Sequence, residues 1–297
     1  VLAALGTAAV PAVLQAAGSA ATLEAERWFK TSDGVRLHYS DSGAVPPGGL
    51  TLLLVPGWTM PAWIWSAQIA YFSASHRVIA FDPRGQGQSD VPAAGYTYAR
   101  RAQDIRELIA SSQATDVVLV GWSLGVLECL QAVHDSQTAG LALPLRGLVL
   151  VDNSVGEGPP PKVGNSNFFS RLRSKRQDTV RGFVRAMFKT ERPDDWLDAL
   201  TKASLRTPLN ASIALLSQGT PREFWRDALY AVDRPVLYAY TQRLAEQGRL
   251  AAAHRASIES VLFEDVGHAL FVDDALRFNR LLEGFIARLP STAGPAR

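Results

Sequence analysis

From about residue 35 onward, short apolar and β-branched runs alternate with segments of helical periodicity. Residues 35–40 predict an early strand, and Asp33-Gly34 before it supplies hairpin chemistry. Pro46-Pro47-Gly48-Gly49 then turns the chain into 51–55, an unbroken apolar run of the kind buried on both faces of a parallel sheet. Residues 77–81, 117–121, 147–151, 235–240 and 258–263 predict further strands of this type. Helical patterns occupy 62–72, 97–111, 124–134 and 273–289. In the last of these, Ala275, Phe278, Leu281, Leu282, Phe285, Ile286 and Leu289 fall on one face. The alternation implies an α/β fold: a mostly parallel, doubly wound sheet covered by helices on both sides.

The alternation breaks once. About 80 residues, 154–233, carry no strand signal and begin at the breaker Gly156-Glu157-Gly158-Pro159-Pro160-Pro161. A segment of that length is too long for a plain loop in a compact domain, so it predicts an inserted helical subdomain. The core then comprises 24–153 and 234–297. Residues 1–23 form a separate, uncharged object rich in Ala, Val, Leu and Gly. Small residues at Gly18–Ala21 suit a peptidase, which predicts a signal-peptide-like segment and a secreted or periplasmic protein. A membrane anchor is the alternative, and membrane contact is expected through this segment alone.

Composition narrows the chemistry. In 297 residues the net charge is +2, too small for a general nucleic-acid binder. The single cysteine, Cys129, excludes an intrachain disulfide and any multi-cysteine metal cluster. The five histidines, His38, His76, His134, His254 and His268, show no metal-ligand spacing, so no metal or organic cofactor is expected.

The strongest motif is Gly121-Trp122-Ser123-Leu124-Gly125, a G-x-S-x-G sequence between a predicted strand and a predicted helix. Serine on such a tight turn is lifted clear of the sheet, and the flanking glycines relieve the crowding. A serine hydroxyl needs a base to act as nucleophile. Of the five histidines only His268 lies in a strand-to-helix loop late in the chain, and it is the candidate base; surface or capping roles suffice for the other four.

Other segments agree in order. Val55-Pro56-Gly57-Trp58 follows the 51–55 strand, Asp82-Pro83-Arg84-Gly85-Gln86-Gly87-Gln88-Ser89-Asp90 follows the next, and Val266-Gly267-His268 precedes the last helix. Together with the serine motif they resemble the α/β-hydrolase superfamily, over about residues 28–290. That resemblance implies an α/β-hydrolase fold with the inserted helices as a cap. It implies Ser123 as nucleophile, His268 as general base and acid, and the backbone N–H groups of Leu124 and Trp58 as an oxyanion hole. Pro56 stands where the family more often has histidine, a change that spares a backbone donor.

The acid is the open member. Where the family usually places it, after the seventh strand, this chain has Leu244, with Thr241 at the glycine position. Asp152, at the end of the sixth strand, matches a minority placement; Glu246 is the alternative, and Asp265 is assigned to the His268 loop itself. Serine at the elbow argues against haloalkane dehalogenase and epoxide hydrolase chemistry, which the family performs with aspartate. The expected activity is hydrolysis of a small-to-medium ester or lactone through an acyl-enzyme. The alternatives are perhydrolase (haloperoxidase-like) or carbon–carbon bond hydrolase activity on the same residues, and a non-catalytic ligand-binding homologue.

For the substrate, Trp58 and Trp122 flank the expected site and suit an apolar or aromatic group. Trp63 and Trp65 either extend that wall or simply pack. Eight basic residues between Arg171 and Arg192 interleave with Phe169, Leu172, Val180, Phe183, Val184, Met187 and Phe188. They predict an amphipathic cap helix with a solvated basic face, or else a surface that attracts an anionic substrate or lipid. Oligomeric state is not legible.

Overall fold

The computed structural model describes residues 25–160 and 167–290. The expected leader, 1–23, lies outside the described residues. Eight strands form one sheet in the order β1-β2-β4-β3-β5-β6-β7-β8. The strands are β1 (Ala25–Lys30), β2 (Arg36–Asp41), β3 (Thr51–Val55), β4 (Arg77–Phe81), β5 (Val117–Trp122), β6 (Leu145–Val151), β7 (Val236–Thr241) and β8 (Ile258–Phe263). β2 runs antiparallel to both β1 and β4, and the remaining pairs are parallel. β3, β5 and β7 are buried along their whole length, as unbroken apolar runs require.

β1 is the strand that the apolar pattern misses. Its sequence, Ala-Glu-Arg-Trp-Phe-Lys, is largely exposed, with only Phe29 buried, because it closes the sheet at a solvated edge. The helices of the core are α1 (Ser66–Phe72), α2 (Tyr98–Ser111), α3 (Leu124–Thr138), α9 (Ala245–His254), α10 (Leu270–Asp273) and α11 (Ala275–Ala287). Thr97 caps α2 by accepting from the Arg100 N–H, and Asp274 caps α11 in the same way.

Between β6 and β7 lie α4 (Phe168–Ser174), α5 (Arg176–Ala186), α6 (Asp194–Leu205), α7 (Leu209–Leu216) and α8 (Arg222–Ala231). The expected single amphipathic helix in this region is two: Lys175, at φ −140° and ψ 54°, breaks it. Among the described residues no helix is long and apolar enough to cross a membrane.

Two core features order the loops that leave the carboxyl edge. Asp82, at the end of β4, is buried and accepts from the Ala62 N–H at 2.6 Å and the Gln88 N–H at 2.9 Å. Arg84 is fully buried and pairs with Asp104 at 2.7 Å and Asp33 at 2.9 Å. His38 corrects the surface or capping role assigned to it: it is 3% exposed, with Nδ1 2.7 Å from Asp82 Oδ2 and Nε2 against Glu26. Both ring nitrogens therefore face carboxylates, an arrangement that the imidazolium satisfies. Burial would lower its pKa, but Asp82 and Glu26 outweigh that and raise it.

Candidate active site

The central strands deliver their loops to one edge. Val55 is level with Gly121, and Trp122 with Val151, so the residues after β3, β5 and β6 emerge side by side. The ladder continues one step past the strands, with the Ser123 N–H on the Val151 carbonyl and the Asp152 N–H on the Ala239 carbonyl, both at 2.9 Å.

Ser123 sits at φ +52° and ψ −121°, a strained conformation for a residue with a side chain. The glycines around it are sterically required. A Cβ on Gly121 would lie 2.4 Å from the Gly125 carbonyl oxygen, and one on Gly125 would lie 2.7 Å from that of Val55. Both contacts are to backbone, which cannot give way cheaply.

His268 arrives from the loop between β8 and α10. Its Nε2 is 2.8 Å from Ser123 Oγ and its Nδ1 is 2.6 Å from Asp152 Oδ2. Ser123 and His268 are half-buried, whereas the Asp152 side chain is fully buried. Asp152 Oδ1 accepts from both the N–H and the hydroxyl of Thr241 at 2.8 Å, and Arg243 Nη2 lies 3.3 Å from Oδ2. Burial by itself would raise the Asp152 carboxyl. The bond and charge of His268, Arg243 and the Thr241 N–H together hold it below the usual carboxylate range. The line can therefore pass a proton from Ser123 Oγ to an imidazole whose cation faces a buried carboxylate.

Glu246, the alternative acid, is corrected. It is exposed in the first turn of α9, and the Nδ1 it would need is already taken by Asp152. The end of β7 and the turn after it contribute donors to Asp152 instead of a carboxylate to His268. Leu244 is buried in a short 3-10 turn, while Thr241 and Arg243 reach back to Asp152. No sequence motif marks those two residues. Asp265 is exposed and pairs with Lys189 at 2.8 Å.

Trp122 is corrected too. It is 1% exposed and faces inward, so it is no substrate wall. Its indole N–H donates to the His268 carbonyl at 2.9 Å, and its ring packs edge-on to Phe271, which places it behind the imidazole loop. Trp65 is core, stacked on Phe271 at 3.9 Å, whereas the 38% exposed Trp63 meets Trp196 of α6. Trp58, at 3% exposure, is likewise no open substrate wall; it joins the loop after β3 to the inserted helices. Its indole N–H donates to the Ser212 carbonyl at 2.8 Å, and its ring meets Phe168 and Phe183 at 5.7 and 5.0 Å. Neither the Trp58 nor the Leu124 backbone N–H donates within the protein among the described residues.

The inserted helices are also fastened to the histidine loop. The buried Asp273 carboxylate accepts from the Gly267 N–H at 2.7 Å, the Lys189 N–H at 2.8 Å and the Thr190 hydroxyl, with Arg192 at 3.1 Å.

A family model described as "Alpha/beta hydrolase family" matches residues 52–281. The chain belongs to the alpha/beta hydrolase family. RutD of Variovorax paradoxus (strain S110), provisionally named a carbamate hydrolase, is 30% identical over 283 residues. That match spans 88% of this alpha/beta hydrolase and 99% of RutD. The non-heme chloroperoxidase CPO-A1 of Kitasatospora aureofaciens is 26% identical over 277 residues, spanning 86% of this chain and 98% of its own. Among solved structures, the esterase RhEst1 of Rhodococcus sp. ECU1013 superposes with a TM-score of 0.72 at 25% identity, covering 89% of this chain and 99% of that one. The expected α/β-hydrolase fold is thus the observed one.

Proposed function

We propose that this alpha/beta hydrolase is a serine hydrolase that cleaves a small-to-medium ester or lactone through an acyl-enzyme. The observation that carries the proposal is the continuous Ser123–His268–Asp152 line at 2.8 and 2.6 Å. Ser123 Oγ attacks the carbonyl carbon while His268 Nε2 takes its proton, and Asp152 stabilises the resulting imidazolium. The carbonyl oxygen becomes an oxyanion held by the backbone N–H groups of Leu124 and Trp58. His268 then returns the proton to the departing alkoxide, leaving the acyl group on Ser123. A water molecule, deprotonated by His268, repeats the sequence and releases the acid. The protein's own groups supply every step, so the reaction calls for no cofactor.

Phe168 and Phe183 of α4 and α5, set over Trp58, support an apolar substrate group on the inserted-helix side. A second reading, perhydrolysis, draws support from the likeness to a chloroperoxidase over nearly the whole chain. Hydrogen peroxide would replace water in the deacylation step and leave as a peracid.

A fluorophosphonate probe tests the proposal. Wild type is expected to be labelled stoichiometrically, with label and p-nitrophenyl ester hydrolysis both lost in Ser123→Ala. A folded wild type that takes no label refutes it and favours a ligand-binding role. Peracid release measured against acid release at fixed peroxide separates the two enzymatic readings.

A further inference from the structure

We infer that Gln86 is a positioning residue for the oxyanion hole: its side-chain amide locks the Gly57–Trp58 peptide so that the Trp58 N–H faces Ser123. The inference rests on the serine-hydrolase reading above. Gln86 lies in the loop after β4, is fully buried, and touches neither Ser123 nor His268 by any hydrogen bond among the described residues.

Its Nε2 donates to two carbonyls of one tight turn, Met60 O at 2.7 Å and Gly57 O at 3.1 Å. The Met60 N–H closes the same turn onto Gly57 O at 3.2 Å. The two carbonyls are therefore clamped together from one side. In a trans peptide the carbonyl and the following N–H point in opposite directions. Fixing Gly57 O on Gln86 consequently aims the Trp58 N–H away from Gln86. Gly57 itself lies against the nucleophile: a Cβ built on it would sit 2.9 Å from Ser123 Cβ.

The turn needs such a clamp because it is strained. Thr59 occupies φ +60°, which a β-branched residue adopts only when its surroundings impose it. Loosened, the turn would relax by rotating the Trp58–Thr59 peptide plane, and the Gly57–Trp58 plane that bears the Trp58 N–H adjoins it through the Trp58 Cα.

The amide is itself held. Gln86 Oε1 accepts from Arg101 Nη1 at 2.8 Å, which leaves only one orientation of the amide compatible with its neighbours. Arg101 Nε lies 2.8 Å from Glu128 Oε1, and all of these groups are buried. Glu128 belongs to α3, the helix that begins directly after Ser123. One buried polar chain therefore runs from the nucleophile's helix through Arg101 and Gln86 to the oxyanion peptide, and holds the two donors of the hole in register.

The test compares Gln86→Met, which keeps length and loses the donor, with Gln86→His, whose Nε2–H falls near the position of the glutamine amide nitrogen. Each is assayed for hydrolysis of p-nitrophenyl butyrate and for binding of a trifluoromethyl ketone. Ser123 adds to that ketone, forming the C–O bond as the carbonyl opens to an oxyanion in the hole and the serine proton passes to His268. Gln86→Met is expected to lose about 10- to 100-fold in kcat, with KM within about twofold. Ketone affinity should fall in the same proportion, and the pH midpoint of kcat/KM should not move, because His268 and Asp152 stand on other loops. Gln86→His should recover most of the loss.

A kcat for Gln86→Met within about threefold of wild type overturns the inference. So does a loss accompanied by a shifted pH midpoint or a raised KM, which would indicate a generally loosened site. If Gln86→Met does not fold, Gln86→Glu decides in its place: it keeps the Arg101 contact, loses the donor, and should show the same loss. A wild type that neither hydrolyses the ester nor binds the ketone refutes the serine-hydrolase reading itself.

Discussion

Replacing Asp152 by asparagine removes one charge and almost no volume, and the surrounding donors determine the result. Oδ1 faces the Thr241 N–H, a buried backbone donor that can neither rotate nor accept. Asparagine must therefore turn its carbonyl oxygen toward Thr241 and its NH2 toward His268. The reverse orientation would point the asparagine NH2 at the fixed Thr241 N–H and cost about 1–3 kcal/mol. Arg243, 43% exposed on its side chain, can withdraw to solvent and does not reverse this choice.

With an NH2 facing Nδ1, the imidazole takes the tautomer that carries its proton on Nε2. Nε2 then cannot accept the Ser123 proton. The analogous change in a serine protease costs about 10⁴-fold in kcat, equivalent to about 5.5 kcal/mol, and a loss of that order is expected here. The assay is kcat/KM for p-nitrophenyl butyrate across pH, with folding checked by thermal melting. Glu246→Gln serves as the control and should stay within about twofold of wild type, since Glu246 is exposed on α9. An Asp152→Asn enzyme within about tenfold of wild type would sink the assignment of Asp152.

Other outcomes follow from the same contacts. Since the pKa of His38 is raised in the folded state, its stabilising contribution is complete below the ordinary value of 6.5 and fades as pH rises through the folded value. Urea titrations should accordingly show a larger stability gap between wild type and His38→Gln at about pH 5.5 than at about pH 9; a gap that grows with pH contradicts the charged-imidazole assignment. Asp273→Ala leaves the Gly267 and Lys189 N–H groups without their acceptor and should lower both thermal stability and kcat, with hydrogen exchange rising in residues 187–192 and 266–269 together. Exchange that rises in only one segment would show that the two are not coupled. Arg185, Lys189 and Arg192 are paired with Asp194, Asp265 and Asp273, whereas Arg171, Arg173, Lys175 and Arg181 are exposed and form no ion pair among the described residues, which leaves the basic stretch free charge for steering. The ratio of kcat/KM for an anionic ester to that for a neutral one should then fall more than about threefold between about 20 and about 500 mM NaCl, and a ratio that does not change rules out steering.

The local sequence already determined much of this molecule. Unbroken apolar runs in β3, β5 and β7 require burial on both faces, and that alone implies a parallel sheet with helical cover. Gly121 and Gly125 mark a turn where any Cβ meets backbone, so the position of Ser123 was legible, and the loop before the last helices singled out His268. These features depend on neighbours along the chain. What only the tertiary structure decided are pairings across it. His268 Nδ1 meets Asp152 and not Glu246, and the β6–β7 register brings the Thr241 N–H to the same carboxylate across 89 residues of sequence, a register set by packing between strands. Trp122 supports the histidine loop, His38 is enclosed by Asp82 and Glu26, and Gln86 reaches the Gly57 carbonyl, none of which a local pattern encodes. A side chain buried among polar groups has its partners chosen by the fold, and a single glutamine in a glycine-rich loop carries no sign of them.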